Sequence, residues 1–437
     1  MIRAVFAAFV AVAAALPAKA AVDIQEVTSP GGITAWLVEE PSIPFAAIEI
    51  RFQGGASLDV PDERGAVNLM MALLEEGAAD LDAQDFAAAR ERLAASYDFE
   101  TYDDSVSVSA RFLTENRAEA VELLRKALVE PRFDQDAVER VRAQVLSGLR
   151  SDATDPNTIA SRTFDAMAFG DHPYGSSRDG TIETVTALTR DDIVEAHGRA
   201  IARDRIYVGA VGDITPEDLG TLLDDLLGGL PAEGAPLPPE ADYQLEGGVT
   251  VVPFDTPQSV ALFGHEGIPR DDPDFFAAYI ANEIFGGSGL QSRLMEEVRE
   301  KRGLTYGIGT YLVPMDLAEL VMGQVASAND RMSATIDVVT AEWRRIAEEG
   351  VTQEELDEAK TYLTGAYPLR FDGNGPIARI LVGMQMDGLP IDYIATRNDK
   401  VMAVTLGDIA RVTERIYRPE DLHFVVVGQP AGVEATN

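Results

Sequence analysis

Two periods of hydrophobicity run along this chain, and the switches between them mark its elements. In the first half, residues 34–38 and 46–52 read as strands, and 97–111 alternates apolar and polar positions as strands do, with a break at Asp103-Asp104. Residues 65–76, 115–128, 134–149, 156–169 and 191–202 carry the helical period instead, and 206–211 closes the half as a strand. The second half yields strands at 260–264, 320–326 and 422–427, and helices at 275–285, 332–349, 352–367 and 408–417. Strands and helices that come in runs, without strict alternation, indicate an α+β fold: a mainly antiparallel sheet with helices packed on one face.

The halves are copies of one another. Gly31-Gly32-Ile33-Thr34 recurs as Gly247-Gly248-Val249-Thr250, a shift of 216 residues. Ala187, Thr189, Asp192, Ile193 and Gly212 recur at the same shift as Ala403, Thr405, Asp408, Ile409 and Gly428. Residues 231–240, rich in proline and without an apolar period, read as the linker. The expected organisation is therefore two homologous domains, 21–230 and 241–437.

Residues 1–20 have Arg3, an apolar run from Ala4 to Leu16, then Pro17 and Ala18-Lys19-Ala20, the pattern of a cleaved signal peptide. Its apolar core is too short for a bilayer of about 30 Å. Cleavage after Ala20 leaves 417 of the 437 residues and, with Arg3 and Lys19 gone, takes the net charge from −37 to −39. So acidic a surface argues against nucleic acid and anionic lipid as partners. The chain has no cysteine, which excludes disulfides and thiolate chemistry. Export to a periplasm is the expected localisation.

The chemistry concentrates in residues 286–306. A glycine-rich loop, Gly286-Gly287-Ser288-Gly289, precedes Arg293 and a helix whose Leu290, Leu294 and Val298 form one apolar stripe. Glu297 and Lys301 make a favourable i,i+4 pair, Lys301 and Arg302 suit the last turn, and Gly303 stands where a left-handed cap is expected. A strand period then begins at Leu304, placing Arg299 just before the cap and Tyr306 just after it.

This stretch resembles the second domain of the insulinase-like (pitrilysin, inverzincin) zinc peptidases, above all the short paired-subunit branch that includes the mitochondrial processing peptidase. The resemblance spans both halves and implies two homologous domains forming a half-clam. It also implies that Arg299 and Tyr306, at the family's spacing, bind substrate opposite a zinc site. That family's catalytic helix carries His-x-x-Glu-His. Here the flanks, Arg64-Gly65-Ala66-Val67 and Leu73-Leu74-Glu75-Glu76-Gly77, are kept, while the motif positions hold Asn68, Met71 and Ala72. The third ligand maps to Gly148, and its acidic companion to Val141. An amide, a thioether and a methyl supply neither zinc ligands nor a base. Val67, Met70, Met71 and Leu74 fall at core spacing, so this face is expected to have become ordinary core.

No replacement site shows itself. The four histidines are scattered: His172 belongs to a structural Asp-His-Pro-Tyr-Gly turn, His197 and His423 have no counterpart in the other half, and His265 is expected to be exposed. Glu75-Glu76, Glu296-Glu297 and Glu348-Glu349 read as solvated helix faces. The loop at 286–289 lacks the lysine and strand context of a phosphate loop. By resemblance, the chain is expected to bind no cofactor and to be the zinc-free subunit of a heterodimer. Its homologous partner would carry His-x-x-Glu-His and zinc and act on unfolded peptides. The alternative is a non-catalytic scaffold of the kind found among respiratory-complex core subunits.

Overall fold

The computed structural model describes residues 22–287 and 291–436. The expected signal peptide lies outside them, as do Ser288, Gly289 and Leu290 of the glycine-rich loop.

The first half builds a sheet from β1 (Gln25–Thr28), β2 (Thr34–Glu39) and β3 (Phe45–Gln53), a small hairpin from β4 (Gly77–Ala78) and β5 (Leu81–Asp82), and returns to the sheet with β6 (Ser96–Thr101), β7 (Ser105–Leu113) and β8 (Ile206–Gly212). The second half contributes β9 (Gly248–Pro253), β10 (Gln258–Glu266), β11 (Thr305–Pro314), β12 (Glu319–Ala328) and β13 (His423–Gly428). The two main sheets run β1-β2-β8-β3-β7-β6 and β11-β12-β10-β13-β9. Each is antiparallel but for one pair, β2 with β8 and β13 with β9. The parallel pair thus recurs between equivalent strands of the two copies.

The helices of the first half are α1 (Ala66–Leu73), α2 (Ala83–Arg92), α3 (Arg117–Val129), α4 (Gln135–Asp152), α5 (Pro156–Phe169), α6 (Ile182–Ala187), α7 (Arg190–Ala200) and α8 (Pro216–Leu227). Those of the second are α9 (Phe275–Gly286), α10 (Met332–Glu349), α11 (Gln353–Ala366), α12 (Asn374–Met386), α13 (Tyr393–Ala403) and α14 (Leu406–Ile416). The duplication reaches the caps. Thr189 and Asp192 form a capping box at the start of α7, and Thr405 and Asp408 form the same box at α14.

Each sheet buries one face under helices of its own half. In the first, Ile48, Ile50 and Phe52 of β3 point into a core with α1, α3 and α8. In the second, Ala261 and Phe263 of β10 meet Trp343 and Ile409. His265 shares their parity and is fully buried, which overturns the exposed position expected for it. The strand runs two residues further than the apolar run suggests, and the Trp343 indole N–H donates to His265 Nε2 at 3.1 Å.

Beyond the helices of its own half on one face, each sheet also receives a helix lent by the other half. Helix α5 lies across β10 and β13, where Phe164 and Phe169 pack with Leu262, Val425 and Val427. Helix α12 lies across β8 and β3, where Leu381 and Met384 pack with Trp36 and Val211. At Gly209 of β8 any Cβ would stand 2.5 Å from the Ala378 carbonyl, so only glycine lets α12 approach so closely. Residues 231–246 between the halves carry no helix or strand.

Candidate functional site

Helix α1 begins where Asp59 accepts hydrogen bonds from the backbone N–H groups of Gly65 (2.8 Å) and Val67 (3.0 Å). Burial raises the Asp59 carboxyl to about 6 against the pull of those donors. Arg64 ties this start to the turn after α5 by donating to the carbonyls of Pro173 and Ser176, both at 2.9 Å. Val67, Met70, Met71 and Leu74 are core residues, none more than 1% exposed. The other motif positions are not core: Asn68 is half-buried and Ala72 exposed. The face expected to be core, Val67, Met70, Met71 and Leu74, is therefore core, and of the three motif positions it includes Met71 alone. Gly148 is exposed on α4, which packs on α1, and a Cβ there would find nothing within 4 Å. The nearby acids are engaged elsewhere, Glu75 with Arg90 and Glu76 with Arg140. Among the described residues no three histidine or acidic side chains stand together as a metal site.

The Arg299–Tyr306 corner is built differently from the expected α-helical turn. Residues Met295–Glu300 form a π-helical turn, with the Lys301 N–H bonding to Glu296 O at 2.9 Å. The wider turn carries Leu294, Met295 and Val298 all into the core, which a spacing of four alone does not reveal. Gly303 closes it at φ +60, as expected of the cap. Glu297 holds Lys301 and Arg302, each at 2.7 Å, and Arg293 is fixed in a two-pronged pair with Glu355 at 2.6 and 2.8 Å.

Strand β11 then bulges. Thr305 pairs with Ser327 and Ile308 with Val325, leaving Tyr306 and Gly307 opposite the single residue Ala326. The Thr305 hydroxyl stabilises the bulge, donating to Ala326 O at 2.7 Å and accepting from Gly307 N–H at 3.1 Å. Tyr306 is consequently thrown outward and is 88% exposed, on an edge strand. The Arg299 side chain is 36% exposed, with a carboxylate only at 3.5 Å, on its neighbour Glu300. Both groups stand at one corner of the second half, available to something outside the chain.

That corner opens onto a groove between the halves, which sequence reasoning missed. Two adjoining clefts of about 580 and 600 Å³ share Asn157, Val260, Tyr311 and Gln324 and run from α5 across β10–β12 to Gly307, beside Tyr306. Burial in this groove raises the Asp165 carboxyl to about 7, with the Asp103 charge adding to the rise and the Ser161 hydroxyl opposing it. A polar latch closes one end: Asp104 accepts from the Tyr174 hydroxyl and from Asp316 N–H at 3.1 Å, and Leu317 N–H donates to the Tyr174 oxygen at 3.1 Å. The Asp-His-Pro-Tyr-Gly turn was the one sequence signal for it. His172 steadies that turn, Nδ1 accepting from Tyr174 N–H at 3.2 Å.

Residues 35–181 match the profile of the insulinase family (peptidase family M16), and residues 187–363 that of the peptidase M16 inactive domain. The chain belongs to the insulinase family. A crystal structure of a peptidase M16 inactive domain from Pseudomonas fluorescens superposes with a TM-score of 0.88 at 26% identity, covering 95% of this chain and 100% of that one. The "non-peptidase homolog YmxG" of Helicobacter pylori is 26% identical over 390 residues, 89% of this chain and 90% of that protein. An "uncharacterized zinc protease" of Streptomyces coelicolor is 25% identical over 406 residues, 90% of this chain and 87% of that protein. In this insulinase-family member the amide, thioether and methyl on α1, within the segment that matches the insulinase profile, supply no zinc ligand and no general base.

Proposed function

We propose that this chain is the metal-free subunit of a periplasmic heterodimeric insulinase-family peptidase, lending Arg299 and Tyr306 to the zinc site of a homologous partner. The observation that carries the reading is the pairing of a catalytic helix stripped of its chemistry with a bulged edge strand that holds Tyr306 out into solvent beside Arg299. When a zinc-bound hydroxide adds to an amide, charge gathers on the carbonyl oxygen. A guanidinium and a neutral phenol are fitted to hold that oxygen and the adjacent peptide. The substrate would be an unfolded peptide enclosed between the two subunits. The match to a non-peptidase homologue favours a second reading, a peptide-capturing or assembly scaffold without turnover. The test is reconstitution with a homologous chain that carries His-x-x-Glu-His, preferably one encoded next to this one. Peptide cleavage by the mixture, lost with Arg299→Ala and Tyr306→Phe while the pair stays assembled, supports the first reading; unchanged cleavage supports the scaffold. Chelator-sensitive cleavage by this chain alone refutes both.

A further inference from the structure

A second cavity, of about 450 Å³, lies on the far side of Tyr311, walled by α9, α12 and α13. Its chemistry is opposite to that of the chain as a whole. Arg270, Arg370 and Arg397 line it together with aromatic rings. Asp387 answers Arg270 at 3.2 Å, but among the described residues no carboxylate pairs with Arg370 or Arg397. Arg397 is only 5% exposed. It lies over the Tyr367 ring at 4.5 Å and donates to the Leu363 carbonyl at 2.9 Å, capping the C-terminal end of α11. Its other terminal nitrogen has only a 3.4 Å contact with the Tyr279 hydroxyl. A helix end offers about half a charge, which offsets part of a buried cation and leaves the rest without a counter-ion. In a chain of net charge −37, a buried arginine without a carboxylate, with the exposed Arg370 at the same cavity, is not explained by general charge balance.

The cavity is also kept open. Gly383 lies within α12 and lines it, and a Cβ added there would meet nothing within 4 Å. Mid-helix glycine weakens a helix relative to alanine, and here no close packing requires it. The volume falls within the roughly 300–1,000 Å³ of small-ligand sites.

We propose that this cavity binds a peptide carboxylate, the anion meeting Arg397 and Arg370 while the apolar side chain next to it enters the aromatic walls. A C-terminal residue with an aromatic side chain carries both features on one carbon. This does not depend on Arg299 and Tyr306 acting in turnover, and it is read on the isolated chain.

Calorimetric titration with a hexapeptide ending in phenylalanine is expected to show binding, weakened about tenfold or more when the terminal carboxylate is an amide. An amide-blocked peptide with an internal glutamate separates the two sources of carboxylate: binding as tight as the free acid would assign the site to a side-chain acid. Gly383→Leu fills the cavity, strengthens α12 and should abolish binding, while Arg370→Gln weakens it several-fold. Arg397→Met should abolish binding too, but it also uncaps α11, so Gly383→Leu is the deciding variant. Equal affinity for acid and amide, or undiminished binding by folded Gly383→Leu, overturns the proposal and leaves Arg397 as a helix cap.

Discussion

Rebuilding the lost motif one position at a time gives a graded outcome that the burial of α1 dictates. Gly148→Glu places a carboxylate on an exposed helix position with nothing within 4 Å of its first carbon, and replacing glycine gains about 0.5 kcal/mol of helix stability. Ala72→His, exposed, costs about 0.6 kcal/mol in propensity, and Asn68→His is close to neutral. The triple variant should therefore stay within about 1 kcal/mol of the parent in urea unfolding with chelator present. Because α1 packs on α4, it should gain zinc affinity, seen by competition against a chromophoric chelator and as an unfolding midpoint that rises with added zinc. Met71→Glu is the expensive step: at 1% exposure it puts a carboxylate into an apolar core, costing about 3–5 kcal/mol without metal. A cost below about 1 kcal/mol would show that position 71 opens to solvent and refute the split drawn between the two sides of α1. A folded triple variant without zinc affinity would refute the facing of Gly148 to the motif.

Other outcomes follow from single groups. Tyr306→Phe, at a position 88% exposed, should change stability by less than about 0.5 kcal/mol, yet lower kcat of the reconstituted pair roughly a hundredfold; calorimetry and steady-state kinetics separate the two. Asp165, raised to about 7 by burial, holds its proton more tightly folded than unfolded, so its contribution to stability is greatest in acid and falls as pH climbs from about 4 to 7. Asp165→Asn should therefore raise the melting temperature at pH 8 and leave it nearly unchanged at pH 4; an equal shift at both would contradict this. His265, lowered to about 4 chiefly by burial, works in the other sense: the folded state binds fewer protons, so stability is lost as pH falls from about 6.5 towards 4. Its ring carbons should show no NMR titration above about pH 5, whereas a midpoint near 6.5 would mean that the ring is solvated.

Much of the architecture was legible because local signals and tertiary demands agree. Helix 156–169 begins with proline and an aspartate cap, and 332–349 carries an unbroken apolar stripe; both appear with those bounds. What stayed hidden were relations between elements. The apolar sides of α5 say that it is buried, not that the sheet it covers belongs to the other half, and α12 was not anticipated at all. The π-helical turn escaped because Leu294 and Val298 suit either winding. His265 could have been found, since it continues the parity of Ala261 and Phe263, but its partner Trp343 lies 78 residues away. At the candidate site, the arginine and tyrosine were visible as a spacing, whereas the bulge that turns Tyr306 outward depends on the pairing with β12. The groove and the arginine-lined cavity required both halves in place.

The reciprocal crossing of α5 and α12 also governs how the polypeptide can be divided. Neither half can be lifted from the other without stripping a helix from a sheet that would then face water, so scission within residues 231–240 should yield two fragments that travel as one particle. Expressed from separate genes, they should find each other and assemble, much as two hands clasp by interlocking thumbs.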